Sequence, residues 1–417
     1  MGRLVWIMLA LTGCSKDIQQ QFEKAKAYGV EVADGVPSSW NADAYLLLSP
    51  TLVSEMLKTG MQTALDGAEP VDVKGKATVT PKATVQSVTL LEKASCDECV
   101  GVRIKLSGKL GIVAGKLKEE VPFDTTIGAS LAFTTRTENN VRVMDVRAKS
   151  LDKFELSLGK SVALDLDSLL RTWGEALIAR MPPYSLGAIG SEDLGILDVR
   201  LQAEGQGLRV EMLTDAAHGV AVKQKVALPE KGFVVAISEG TLTDIARREA
   251  FKAGELALSI YAEATSLDFE GDHFTMGLRL WRLAGSGWWR DYSIQGNTKI
   301  SGKLLRLTPS EAAEVGASDG AELADPLATL GQSVILDTLV ESAGQVLPGH
   351  SATNLDGLGF TLTVRTAEGL GDALVLAGDA TLYKPKNYGA SAKSGGSGAS
   401  QGGDRRGSNS DATSKKR

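Results

Sequence analysis

Residues 199–212 read VRLQAEGQGLRVEM, and residues 364–376 read VRTAEGLGDALVL. Aligned on Val-Arg, the two phrases lie 364 − 199 = 165 residues apart; aligned on Ala-Glu-Gly, 367 − 203 = 164. That interval is far longer than a solenoid unit of about 20–50 residues. It matches one ordinary domain, and the 417-residue chain has room for two. A duplicated domain is therefore the first expectation. The paired glycines, Gly205 with Gly207 and Gly369 with Gly371, are expected to shape a turn just after Ala-Glu in each copy.

The surroundings of the two phrases agree in order. In the first half, SPTLVSEMLKTGMQTALDG reads as a helix, with Ser49 as cap and Pro50 at the first helical position. Leu52, Val53, Met56, Leu57, Met61, Ala64 and Leu65 recur on one face of it. Residues 71–158 then alternate apolar and polar side chains between turn signals, the mark of an antiparallel sheet with one wet face. A second helix carries Leu166, Leu169, Leu170, Trp173, Leu177 and Met181, and stops at Pro182-Pro183. The first phrase follows as strands. The second half gives a helix after Ser238 bearing Leu242, Ile245, Ala246, Ala253 and Leu256, then strands over 257–307. A helix with Leu327, Leu330, Val334, Leu339, Ala343 and Val346 comes next, followed by the second phrase.

The two ends depart from this globular pattern. MGRLVWIMLALTGC has a basic Arg3 and an apolar run over 4–11, too short for the roughly 20 residues that span a bilayer. It reads as an export signal. Leu11-Thr12-Gly13-Cys14 resembles the bacterial lipobox, which implies cleavage before Cys14 and acylation of that cysteine. The alternatives are an ordinary signal with an incidental cysteine, or a short buried strand. Several acyl chains anchor firmly, since each buried CH₂ contributes about 0.8 kcal/mol. Ser15 stands where the resemblance would place an Asp for inner-membrane retention, so the expected location is the outer membrane of a bacterial envelope. At the other end, residues 385–417 are rich in Gly and Ser with few apolar side chains, and are expected to be a disordered tail. The tail carries seven basic and two acidic residues, 7 − 2 = +5, against −6 for the whole chain, so residues 1–384 hold −6 − 5 = −11. An acidic body disfavours nucleic acid and broad docking on anionic lipid.

Catalytic chemistry finds little to work with. Three histidines, His218, His273 and His350, are scattered along the chain, and no P-loop is present. Ser150-Leu151-Asp152-Lys153 fits Ser-x-x-Lys without its supporting motifs. EGQGLRV enters a strand and not a helix, so it is no dinucleotide fingerprint. Cys96 and Cys99 sit between two strand-like runs. A disulfide stapling that hairpin is the expected use in an oxidising envelope. A redox pair would open a helix, and a zinc site would need about four ligands. No metal and no cofactor is expected.

The order helix, strand meander, helix, closing strands resembles the tubular lipid-binding superfamily, in particular the tandem bactericidal/permeability-increasing and lipopolysaccharide-binding type. The stretch VVAISEGTLTDIARREAFKAGEL, residues 234–256, carries the local match. The resemblance implies an α+β fold of two similar domains related by pseudo-twofold symmetry. Each is a highly curved antiparallel sheet wrapped around a long helix, with an apolar slot for an acyl chain. The expected organisation is a signal at 1–13, an acylated Cys14 and tether over 14–33, domains over 34–214 and 215–384, and the tail over 385–417. Two departures are visible: the long disulfide of the vertebrate members has no counterpart, and a basic tip is present only as KLSGKLGIVAGKLK, residues 105–118, which reads equally as a solvated strand face.

A slot between helix and sheet would be lined by inward residues, with Met adapting to irregular ligands. The candidates are Met56, Leu57, Met61, Leu65, Leu169, Trp173, Leu177 and Met181 in the first half. In the second they are Leu242, Ile245, Phe251, Leu330, Val334 and Leu339. Periodicity places these residues inward; it does not distinguish an open slot from a closed core. Trp281, Trp288 and Trp289 gather at one hairpin, where they suit either a membrane interface or packing beneath a neighbouring segment. The function expected is a membrane-anchored, non-catalytic carrier of a phospholipid or similar amphiphile. The alternative is a structural or protein-interaction lipoprotein with a filled core.

Overall fold

A computed structural model of the chain describes residues 2–66, 70–73, 77–91, 99–138, 141–158, 175, 184–190, 195–256, 259–285, 287–301, 304–318 and 360–382. Helix α1 runs Gly2–Gly29. The short strand β1, Ala44–Leu48, then leads into helix α2, Pro50–Asp66. Ser49 makes that transition: its Oγ accepts the N–H of Leu52 at 3.3 Å, and the chain turns helical at Pro50. Next come β2 (Val71–Val73), β3 (Ala77–Leu91), β4 (Cys99–Ala114), β5 (Leu117–Glu138), β6 (Val141–Leu158) and β7 (Tyr184–Gly190). They pair in sequence order as an antiparallel meander. Register shifts at Val85/Ser87, Gly128/Ala129 and Ser130/Leu131 insert bulges, which bend strands of this length.

The first phrase becomes the hairpin β8 (Ile196–Glu204) and β9 (Gly207–Thr214). Strand β10, Phe233–Ser238, then leads into helix α3, Glu239–Ala253. Ser238 repeats the role of Ser49, accepting the N–H of Thr241 at 3.1 Å. The helix ends at Gly254, whose φ of 75° a side chain would strain. A second antiparallel meander follows as β11 (Ile260–Glu270), β12 (His273–Arg282), β13 (Trp288–Ser301) and β14 (Leu304–Ala317). The second phrase closes the fold as β15 (Phe360–Leu370) and β16 (Ala373–Leu382). The described chain is mostly β with three helices, and its strands form three sheets of six, four and six strands.

The central sheet has the order β15-β16-β10-β1-β9-β8. Strands β1 and β10 run antiparallel side by side, with Leu46 opposite Val235. Each is flanked by the second strand of a phrase hairpin: Leu46 faces Val210, and Val235 faces Leu376. Both faces of β1 and β10 are covered, which explains why AYLLL and FVVAIS are unbroken apolar runs and not alternating ones. One face joins the main core. The other buries Tyr45, Leu47, Val234 and Ala236 beneath residues 222–228. The Tyr45 hydroxyl donates to Gln224 O at 2.9 Å and accepts from the Val226 N–H at 3.2 Å. The main core is continuous from α2 and β3–β6 through β9 and β10 to α3 and β11–β14.

The two phrases are equivalent as hairpins, but not letter for letter. Their turns are Gly205-Gln206, with Gly205 at φ 57°, and Gly371-Asp372, with Gly371 at φ 66°. A positive-φ Gly at the first of two central positions is the II′ hairpin arrangement. Glycine after Ala-Glu shapes the turn in the first copy only. In the second, Gly369 lies within β15, opposite Leu374. The cause is a bulge between Val364 and Thr366, which adds one residue between Val and the turn: 205 − 199 = 6 against 371 − 364 = 7. Leu208 and Val210 therefore correspond to Leu374 and Leu376, and all four are buried.

Candidate functional site

The face of α2 that the sequence marks as apolar is turned into the core. Met56, Leu57, Met61 and Leu65 are 3–9% exposed, beside Val85, Val88 and Leu90 of β3. The polar side of the same helix is fastened to β3. Ser54 Oγ donates to Val88 O at 2.5 Å, Gln62 Nε2 donates to Ala83 O at 3.1 Å, and the Val85 N–H donates to Gln62 Oε1 at 2.8 Å. These contacts flank the Val85/Ser87 bulge, where the ladder leaves backbone groups in need of partners.

Helix α3 is fastened to β11 in the same way. Arg247 Nε donates to Ala264 O at 3.0 Å and Arg247 Nη2 to Thr265 O at 3.2 Å, at the bulge between Ala264 and Ser266. The Phe269 N–H donates to Glu239 Oε1 at 2.6 Å. Burial pushes the Glu239 carboxyl upward from its ordinary value. Leu242 and Ile245 enter the main core at 1% and 3% exposure.

Phe251 is not with them. It belongs to a separate cluster with Ile18, Phe22 and Trp281 on the far side of α3. Phe22 meets Phe251 edge-on at 6.0 Å, Tyr261 at 4.9 Å and Trp281 edge-on at 5.9 Å. Sequence reasoning takes the segment after Cys14 as a polar tether, whereas its residues from Ile18 onward are docked against α3, β11 and β12. The signal was present: Ile18, Phe22 and Ala25 recur at helical spacing within the polar run.

The tryptophans resolve in favour of packing. Trp281 and Trp288 are 1% and 3% exposed, and Arg279 lies over Trp281 and Trp289 at 5.3 and 4.3 Å. Trp281 Nε1 donates to the buried Glu263 at 2.9 Å. Burial raises the Glu263 carboxyl, while Trp281, Arg279 and Arg247 pull it back. Lys109, within the basic stretch 105–118, and Lys82 on β3 both pair with Glu120 and are exposed.

Cys14 lies on α1, and its side chain is outside the described residues. Cys99 opens β4 and is disulfide-bonded; Cys96 is outside the described residues. Leu169, Trp173, Leu177, Met181, Leu330, Val334 and Leu339 are also outside them. Ser150 Oγ donates to Asp152 at 2.7 Å within its own strand. Among the described residues no three His, Cys, Asp or Glu side chains are placed to hold one metal ion. No described helix is long and apolar enough to cross a membrane.

No family model matches the sequence, and no curated protein matches it. In structure the chain is distantly similar to lipopolysaccharide binding protein, at 12% identity and a TM-score of 0.35, over 83% of this chain and 100% of that one. It is also distantly similar to P47 of Clostridium botulinum E1, at 11% identity and a TM-score of 0.45, over 82% and 99% of the two chains. P47 from Clostridium botulinum A2 gives 13% identity and a TM-score of 0.41, over 81% and 97%.

Proposed function

We propose that this chain is a lipid-anchored envelope protein that holds a phospholipid or similar amphiphile between helix and sheet. One observation carries the reading: α2 and α3 are each fastened to a strand by directional hydrogen bonds from their polar side, while their apolar side meets the sheet through non-directional contacts. Contacts of the second kind are exchanged for acyl CH₂ contacts at little cost, because both are apolar burial at about 25 cal/mol per Å². The ligand would lie along Met56, Met61 and Leu65 in one half and Leu242 and Ile245 in the other. The two halves are read as duplicated domains over 34–214 and 215–384, sharing the central sheet about an axis between Leu46 and Val235. Cys96 is read as the partner of Cys99, and the protein as non-catalytic.

The deep burial of these same side chains favours a second reading, an interaction lipoprotein with a filled core. Native mass spectrometry of residues 15–417, made without the leader, separates the two: the carrier retains lipid that organic extraction recovers. The anchor has its own test. Export of the full chain with Cys14→Ser is expected to abolish metabolic palmitate labelling and release from the signal. Undiminished labelling would place the acyl group on another residue, and a parent chain that takes up no label would remove it from the account.

A further inference from the structure

A surface cleft of about 340 Å³ lies over the first two turns of α3, on the side away from Leu242 and Ile245. Four carboxylates line it: Glu239, Asp244, Asp268 and Asp372. Asp372 is occupied by the N–H groups of Lys223 and Gln224 at 3.1 and 3.0 Å. Glu239 uses Oε1 on the Phe269 N–H, and Asp268 is exposed to solvent. Asp244 is 3% exposed; its Oδ2 accepts the His218 N–H at 3.3 Å, while Oδ1 accepts no hydrogen bond and has Arg247 Nη1 at 3.8 Å. Arg247 is itself committed to Ala264 O and Thr265 O. Lys223 is the other cation of the lining, so negative charge exceeds positive.

The cleft adjoins an apolar patch. Of eight exposed large apolar residues described, five are Tyr28, Val30, Val32, Val36 and Val220, at 40–48% exposure. They belong to two neighbouring segments: Val32 bridges Ala216, the Tyr28 ring stacks on His218 at 3.6 Å, and Tyr28 and Val220 both line the cleft. Tyr28, Val30, Val32 and Val220 therefore gather at neighbouring positions, a patch and not the scatter of an ordinary surface. Its rim carries exposed Glu31 and Asp34 against exposed Lys26, one turn before Val30, and is net negative.

We propose that cleft and patch form one docking surface for a segment of another protein that presents a Lys or Arg side chain beside apolar ones. Charge decides among the occupants. An anionic bilayer is repelled by the acidic rim and by a body of net negative charge. A twofold contact with a second copy would set this acidic surface against itself. A basic, apolar-flanked polypeptide matches both halves of the surface, seating its cation among Glu239, Asp244 and Asp268 and its apolar side chains on Val30 and Val32. This inference does not depend on lipid binding in the interior.

The test uses the full chain in detergent at physiological salt, with two fluorescein-labelled octapeptides, one alternating Leu and Arg, the other Leu and Glu. The expected result is saturable binding of the Leu/Arg peptide only, weakened about tenfold or more by Glu239→Gln with Asp268→Asn, and likewise by Val30→Ser with Val32→Ser. Glu119→Gln, which removes one exposed carboxylate from β5, should leave it unchanged. Because the four substituted side chains of the test pairs lie at the surface or keep their hydrogen bond, circular dichroism should match the parent. The proposal is overturned if Glu119→Gln weakens binding equally, or if the test pairs leave it intact. It is also overturned if phosphatidylglycerol vesicles bind through the same residues in place of the peptide, or if the Val pair instead abolishes a dimer of the chain.

Discussion

At the scale of single residues, Asp43 is the group whose chemistry the fold changes most legibly. It is 3% exposed at the start of β1, and burial pushes its carboxyl from an ordinary 3.8 up to about 6, against the opposing hydrogen bonds from Thr214. Those bonds are the Thr214 N–H at 3.1 Å and its hydroxyl at 2.6 Å. A raised value means that the folded chain holds this proton more tightly than the unfolded one. The contribution to stability is therefore complete below about pH 4 and is lost as the pH rises through about 6. Asp43→Asn should flatten that part of the pH profile, removing a slope worth of the order of 2–3 kcal/mol between pH 4 and 7. Urea midpoints at those two pH values check it; an unchanged slope would mean that Asp43 is ionised in the folded body throughout. Sequence reasoning did not reach this residue, because nothing in NADAYLLL separates a buried Asp from an exposed one. Thr214, its partner, is 171 positions away.

Elements were legible where a face had one job and obscure where it had two. The stripe Leu52, Val53, Met56, Leu57, Met61 gives α2, and it is buried as its spacing requires. Helix α3 serves three neighbours, so its side chains divide: Leu242 and Ile245 go to the main core, Phe251 to α1, and Glu239 and Arg247 to β11. A single-stripe reading puts Phe251 in the wrong group. The repeated phrase failed in a related way. Its letters align Ala-Glu-Gly, but a bulge at Val364/Thr366 shifts the backbone, and equivalence follows burial and not identity. The segment 14–33 looked polar because a helix that docks by one narrow stripe has most of its surface wet. Phe22 measures that docking. At 2% exposure amid Phe251, Tyr261 and Trp281, Phe22→Ala should cost about 3–5 kcal/mol. Thermal unfolding followed by near-ultraviolet circular dichroism reads it, with Phe22→Leu nearer to the parent. A loss within about 0.5 kcal/mol would show that the strap is not bound in solution.

For the whole molecule, the arrangement of parts matters more than any one of them. Two helices follow two capping serines, Ser49 and Ser238, and each helix is pinned to a bulged strand of its own meander. The strands that precede the helices meet in one central sheet, and a single apolar core runs beneath both. What the sequence could not convey is whether room remains, since periodicity sets the direction of a side chain and not the distance to the one it faces. Native mass spectrometry of residues 15–417 answers this most directly, joined to uptake of a fluorescent phospholipid by the same preparation. The account predicts a mass increment that matches a lipid recovered by extraction, with exchange of that lipid for the added one. A bare polypeptide mass with no uptake would contradict it and leave the filled core.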